Sequence, residues 1–163
     1  MSDALISSGV SAHQQILNLM YRYGECVDLA LFDELGKLFE HGAIRSDRCA
    51  GEHRGDAVRR FYAATNKVHP ETGTLRTRHL ATNPILDVDE RVGRATCRSY
   101  FVVCQQTASL PLQPIVAGRY HDSFHVVDGR WAFDIRMIYV DLIGDISEHL
   151  SFDLRKDAVP DIH

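Results

Sequence analysis

Residues 75–89 read LRTRHLATNPILDVD. Side-chain character in this stretch follows a period of two, the period of a strand whose successive residues face opposite sides of a sheet. His79 lies inside it, behind Arg76 and Arg78 and ahead of Asn83-Pro84, a pair with the composition of a turn. The segments before this stretch are mainly of helical spacing, and the long ones after it have strand spacing. The fold is therefore decided by what lies on either side.

Downstream, residues 94–106, 115–127 and 130–143 continue the period of two. The connections are Glu90-Arg91-Val92-Gly93, a loop holding Pro111 and Pro114, and Asp128-Gly129. Asp-Gly between alternating apolar residues is a strong two-residue hairpin signal. Upstream, Ser11 and Gln14 have the form of a capping box at a helix start. The helix that follows carries Ile16, Met20, Tyr23 and Val27 on one stripe and runs to about Asp28. A second helix fits residues 31–39, with Leu31, Leu35, Leu38 and Phe39 on one face and Gly42 closing it soon after. Two short extended pieces cover residues 43–47 and 51–54, and a third helix opens at Gly55-Asp56 with Val58, Phe61, Tyr62 and Thr65 on one face.

Three helices before four long strands exclude a doubly wound parallel sheet, which needs helices between its strands. The predicted class is α+β: three N-terminal helices packed on a strongly curved, mainly antiparallel sheet, with an apolar concavity between the layers for a small ligand. Residues 1–10 read as a loose arm, 11–145 as the domain and 146–163 as a peripheral C-terminal tail.

Composition narrows the function. The chain has 163 residues, 45% hydrophobic and 25% charged, with a net charge of -4, enough for one domain with its own core. The acidic balance, with a pI near 6.1, supplies no broad basic surface, so neither nucleic acid nor an anionic membrane is an expected partner. The start MSDALISSGVSAHQQ has no signal-peptide pattern and no apolar run is long enough to span a bilayer, so a cytoplasmic location is expected. Cys26, Cys49, Cys97 and Cys104 are too widely spaced for CxxC metal clips and read as free thiols.

Asp28 and His79 are the residues that point to chemistry. A carboxylate at a helix C-terminus is disfavoured by the unpaired carbonyls there and needs a cationic or hydrogen-bonding partner. An imidazole held by a carboxylate through one nitrogen is fixed in one tautomer, leaving the other nitrogen as a base at neutral pH; the alternative is a purely structural hydrogen bond. Arg136 either stabilises a developing anion or pairs with Asp28 or Asp134 as a structural charge. Among Tyr21, Tyr23 and Tyr62, Tyr23 is the preferred phenol donor because it lies about one turn before Asp28.

His121 and His125 share a strand face with Arg119 and Ser123, while Tyr120, Phe124 and Val126 take the buried face. No third metal ligand accompanies the two histidines, no Rieske pattern is present and HDSFH is not a helical HExxH motif. No metal or cofactor is therefore expected.

The segments YRYGECVDLALFDELGKLF (21–39), RHLATNPILDVD (78–89) and residues 118–145, with GRYHDSFHVVDGRWAF at their head, resemble the SnoaL-like branch of the NTF2-like superfamily. The resemblance covers most of residues 11–145 and implies the helices-on-a-cone fold. Its members include dehydratases similar to scytalone dehydratase, bile-acid dehydratases, a dehydrochlorinase, ketosteroid isomerases, polyketide cyclases and noncatalytic β subunits of ring-hydroxylating dioxygenases. In dehydratase-like members an aspartate ending the first helix orients a histidine base on the first long strand; Asp28 and His79 match these positions. Arg136, in FDIRMIYVD, matches the last-strand arginine of dehydrochlorinase-like members. The second histidine of scytalone dehydratase is replaced by Gln105 or Gln106, and its serine and asparagine fall near Gly118 and Tyr120, which departs from the scytalone pattern.

Two readings follow from the resemblance. One is a cofactor-independent lyase or isomerase, by preference a dehydratase, acting on a small apolar, cyclic, oxygenated molecule. The other is a noncatalytic β-type subunit docking a dioxygenase α subunit, or a protein that binds a small ligand without chemistry. The semi-apolar outer face of a curved sheet implies a homodimer or homotrimer in either case.

Overall fold

The computed structural model describes residues 9–156. Helices α1 (Ala12–Asp28), α2 (Phe32–Leu38) and α3 (Asp56–Thr65) pack on one sheet built from β1 (Ala43–Ser46), β2 (Cys49–Arg54), β3 (Thr77–Asp89), β4 (Arg94–Gln105), β5 (Gln113–Val127) and β6 (Arg130–Ile143). The strand order is β2-β1-β6-β5-β4-β3. β1 runs parallel to β6 and every other pair is antiparallel. The three-helix, curved-sheet α+β architecture is thus the one the spacing predicts. The arm expected at residues 1–10 lies outside the described residues except for Gly9 and Val10.

Local chemistry sets the element ends. Ser11 Oγ accepts from the Gln14 amide at 3.2 Å, but the Gln14 side chain turns to Asn18 Oδ1 at 2.7 Å, so only half of the expected capping box forms. α1 closes with the Leu31 N–H on the Cys26 carbonyl and the Ala30 N–H on the Val27 carbonyl. Ala30 takes the left-handed conformation between them, φ 56°, the geometry of a Schellman stop. That stop leaves Asp28 as the last helical residue, facing inward. At the hairpin between β5 and β6, Asp128 and Gly129 both have positive φ, 49° and 76°, as a two-residue primed turn requires.

The sheet bends at irregularities in register. Among the four long strands they fall between Thr82 and Ile85, Val103 and Cys104, Ala117 and Gly118, and Ser123 and Phe124, each a place where an extra residue raises local twist. At the first, Asn83-Pro84, a pair with the composition of a turn, forms a bulge within β3, with Asn83 at φ 53°. Asparagine tolerates that conformation, and proline has no N–H to give to the ladder.

Gly24 permits the closest approach of helix to sheet. A Cβ there would lie 3.3 Å from both the His79 Cβ and the His79 carbonyl oxygen. The missing side chain lets α1 settle against β3 at His79. Val126, expected on the inner face, is exposed, while Tyr120 and Phe124 are buried as expected. The break in register between Ser123 and Phe124 re-aims this end of β5.

The C-terminal segment also departs from expectation. Ile146 and His149 are buried, so residues 146–154 are not peripheral. The Lys67 N–H donates to the His149 carbonyl and the Ser151 N–H to the Thr65 carbonyl. Gln105 Nε2 donates to the carbonyls of Leu75 and Glu148, both at 3.0 Å. These bonds satisfy a backbone that would otherwise be orphaned on the cone's open end.

Candidate active site

Between the helices, the inner sheet face and the C-terminal segment lies a cavity of ≈ 120 Å³, near the size that admits a single benzene-like ring. Its walls are mostly apolar, with Val27, Ile44, Phe101, Val116, Val140 and Leu150 among them. Polar side chains share the wall: His79, His149, Tyr23, Tyr62 and Tyr120, with Arg45, Ser46, His53, Thr65 and Asn66. A largely apolar wall with a few convergent polar groups is the usual make-up of a small-molecule site.

Asp28 and His79 meet as their positions predict. His79 Nδ1 lies 2.6 Å from Asp28 Oδ1, and the His79 backbone N–H donates to Oδ2 at 3.0 Å. The Thr77 hydroxyl also donates to Oδ1, at 2.7 Å. Burial by itself would raise the Asp28 carboxyl, but the bonds and charge of His79, helped by Thr77, outweigh it and hold the carboxyl below its ordinary value. An ionised carboxylate can only accept, so Nδ1 carries the hydrogen, and it is the neutral form of the ring that has its lone pair on Nε2.

Tyr23 lines the cavity and stands edge-on to the His79 ring, centroids 6.3 Å apart. Its hydroxyl shares a 2.7 Å hydrogen bond with that of Tyr62. Burial raises the pKa of Tyr23 and pushes Tyr62 and Tyr120 up further, so all three phenols keep their protons at neutral pH. Two phenols joined by one hydrogen bond have a second O–H to offer.

Arg136 is absent from the cavity wall and lies under the tyrosine layer, fully buried. Its guanidinium sits 4.2 Å from the Tyr23 ring centroid and 4.0 Å from that of Tyr120. The ion-pair partner is neither Asp28 nor Asp134 but Asp122, which takes Nε at 3.0 Å and Nη2 at 2.7 Å. Asp134 instead accepts from Arg94 at 3.2 Å. Burial alone would lower the Arg136 pKa; the Asp122 carboxylate more than reverses this, so the guanidinium remains charged. The fork geometry matches two donors to two acceptors, as planar guanidinium prefers.

Two site features escaped the sequence reading. Asp122 occupies the same strand parity as Tyr120 and Phe124, so a charge at an inward position was available as a signal. His149 was not, because the segment bearing it has no regular period. Its ring lines the cavity and its centroid lies 6.0 Å from that of His79. At the position of the absent second strand histidine, Gln105 is buried and ties the C-terminal segment to the sheet. His121 is exposed and His125 lies 4.0 Å from Asp134. Among the described residues, no three His, Cys, Asp or Glu side chains gather as a metal site, and no helix is long and apolar enough to cross a membrane.

Helices laid on a curved sheet, enclosing a carboxylate–histidine pair in an apolar cavity, define an NTF2-like pocket protein. The chain matches the SnoaL-like domain family over residues 9–137 and belongs to it. A Mycobacterium tuberculosis protein of unknown function is 27% identical, with 79% of this chain and 71% of that one covered at a TM-score of 0.63. A proposed scytalone dehydratase from Novosphingobium aromaticivorans is 25% identical, with 80% and 84% covered at 0.60. The β subunit of a proposed aromatic-ring-hydroxylating dioxygenase from the same organism shares the fold at 16% identity, with 79% and 88% covered at 0.60. No curated protein matches the sequence.

Proposed function

We propose that the protein is a cofactor-independent lyase or isomerase, a dehydratase by preference, acting on a small cyclic oxygenated molecule. The observation that carries this reading is the 2.6 Å bond between His79 Nδ1 and Asp28, at the wall of a largely apolar cavity. His79 Nε2 would take the proton from carbon next to a carbonyl, and the C–H electrons would pass toward that carbonyl. Tyr23, with Tyr62, would hold the oxygen on which charge grows. In a dehydration the imidazolium then gives the same proton to the departing hydroxide as the C–O bond breaks, so water leaves and nothing is oxidised. In an isomerisation the proton returns to another carbon. Asp28 orients the imidazole and stabilises its cation; Arg136 acts through the rings of Tyr23 and Tyr120.

The test is a panel of single-ring hydroxyketones, followed by absorbance of the conjugated product and by deuterium uptake in heavy water. His79→Ala is expected to lower turnover by about 10²–10⁴, the range of a lost general base, with unchanged circular dichroism. A turned-over substrate whose rate survives His79→Ala would overturn the reading.

A second proposal concerns assembly. On the outer sheet face Leu80, Val102, Ala117 and Leu142 lie side by side across four strands, with exposed Tyr100 beside them. This row supports a homodimer or homotrimer, or the docking of a dioxygenase α subunit, as the partner of that face.

A further inference from the structure

His149 has no part in the chemistry assigned so far, yet it is the second imidazole in the cavity. It is carried by residues 145–150, which the backbone fixes from two sides. The His149 N–H donates to the Ile146 carbonyl and the His149 carbonyl accepts from Lys67. The Glu148 carbonyl accepts from Gln105 and from the His69 ring. The main chain is thus held firmly, while the ring is not: its buried Nδ1 has no hydrogen-bond partner. An apolar side chain would fill this place without stranding a polar atom. On a ring that lines the cavity, an unpaired polar nitrogen marks a place for a ligand's polar group.

We propose that His149 is a catalytic hydrogen-bond donor that, together with the Tyr23–Tyr62 pair, holds the substrate oxygen on which negative charge develops, beside the base His79. The inference rests on the reading of His79 as that base. Both rings line the cavity with their centroids 6.0 Å apart, so one small ligand can meet His79 at a carbon and His149 at the neighbouring carbonyl oxygen from the cavity side. The groups facing His149 are His79 on β3, Asp28 at the end of α1 and His69 in the loop after α3. Burial first, then His79 and His69, lower its pKa to about 3 against the opposing pull of Asp28. The ring is therefore neutral at working pH and gives an N–H rather than a proton. A neutral imidazole keeps the cavity free of a second positive charge beside His79, so the proton acceptor and the oxygen holder do not compete.

The probe is 4-nitrophenol, a single ring whose oxygen mimics an enolate and whose absorbance reports its ionisation. The full chain is expected to bind it with a shift toward the phenolate band. His149→Phe should weaken binding about tenfold or more, the worth of a hydrogen bond to an anion, and His149→Gln, which retains an N–H, should recover most of the loss. On binding, nitrogen NMR of histidine-labelled protein should shift the protonated ring nitrogen of His149. Native protein that leaves the probe unbound at about millimolar concentration, an unmoved His149 nitrogen, or equal affinity in His149→Phe would each overturn the proposal. If His149→Phe misfolds, His149→Gln and the NMR shift still decide. The reading of His79 fails separately: His79→Gln that preserves turnover removes the base, whatever His149 does to phenol affinity.

Discussion

At the residue scale, Asp28 is used three times over, and that fixes what its replacement would do. Its two oxygens accept from the Thr77 hydroxyl, the His79 ring and the His79 backbone. Asp28→Asn keeps the shape but turns an NH₂ toward a donor that needs an acceptor, so the ring loses its fixed tautomer. On the proposed mechanism turnover should fall by about 10²–10⁴. Stability should change as well. The folded Asp28 carboxyl lies below its unfolded value of about 3.9, so it stabilises the fold above that pH and this contribution is lost as pH falls through the folded value. Urea midpoints measured from about pH 2 to 6 should therefore separate native protein and Asp28→Asn at the upper end and converge at the lower. Buried Arg136 and Asp122 make a different case. Arg136→Leu leaves the Asp122 carboxylate alone among rings, a loss of about 3–5 kcal/mol. Adding Asp122→Leu should recover much of it, as a denaturant titration of the single and double variants would show. Of these residues the sequence revealed the pair whose partners follow from a helix end and a strand. It hid the pair on neighbouring strands, because Asp122 and Arg136 meet only through the β5–β6 register.

At the element scale, the end of α1 does more than end a helix, because the stop at Ala30 sets where Asp28 points. Alanine at φ 56° occupies a conformation that glycine adopts without strain. Ala30→Gly should stabilise the protein by about 0.5–1 kcal/mol and raise Tm by about 1–4 °C, with the Asp28–His79 hydrogen bond intact. A lower Tm would mean that the Ala30 methyl makes packing contacts worth more than the strain. Element type was legible wherever periodicity was long: all three helices and all four long strands lie within a few residues of the positions their spacing predicts. Legibility failed where local chemistry admits two answers. Asn83-Pro84 suits a turn and a bulge equally, and only pairing with β4 selects the bulge. Residues 146–154 carry no period at all, and their place over the cavity is set by bonds from Lys67, Gln105 and Ser151.

At the scale of the whole molecule, the sheet has two faces with opposite tasks. The inner face carries the cavity and the outer one the row from Leu80 to Leu142. Curvature from the bulges makes the inner face concave and leaves the outer one convex and broad, with Tyr100, Leu80 and Leu142 exposed at 56%, 48% and 69%. Scattered apolar residues on a surface need no explanation, but apolar residues paired across four adjacent strands form a patch. Charged groups border it: Arg119 in the next row pairs with Asp141 through two hydrogen bonds of 2.8 and 2.9 Å, a polar rim of the kind that surrounds interfaces. On the proposed self-association, native protein should sediment as a dimer or trimer at micromolar concentration. Leu142→Glu places a charge at the β6 end of the row, on its most exposed side chain, and should shift the protein to monomer without changing its circular dichroism. The cavity faces the other way, so the affinity of 4-nitrophenol should be the same in this monomer. Native protein that sediments as a monomer would remove the assembly proposal, and a monomer that loses the probe would show that the cavity depends on the neighbouring copy.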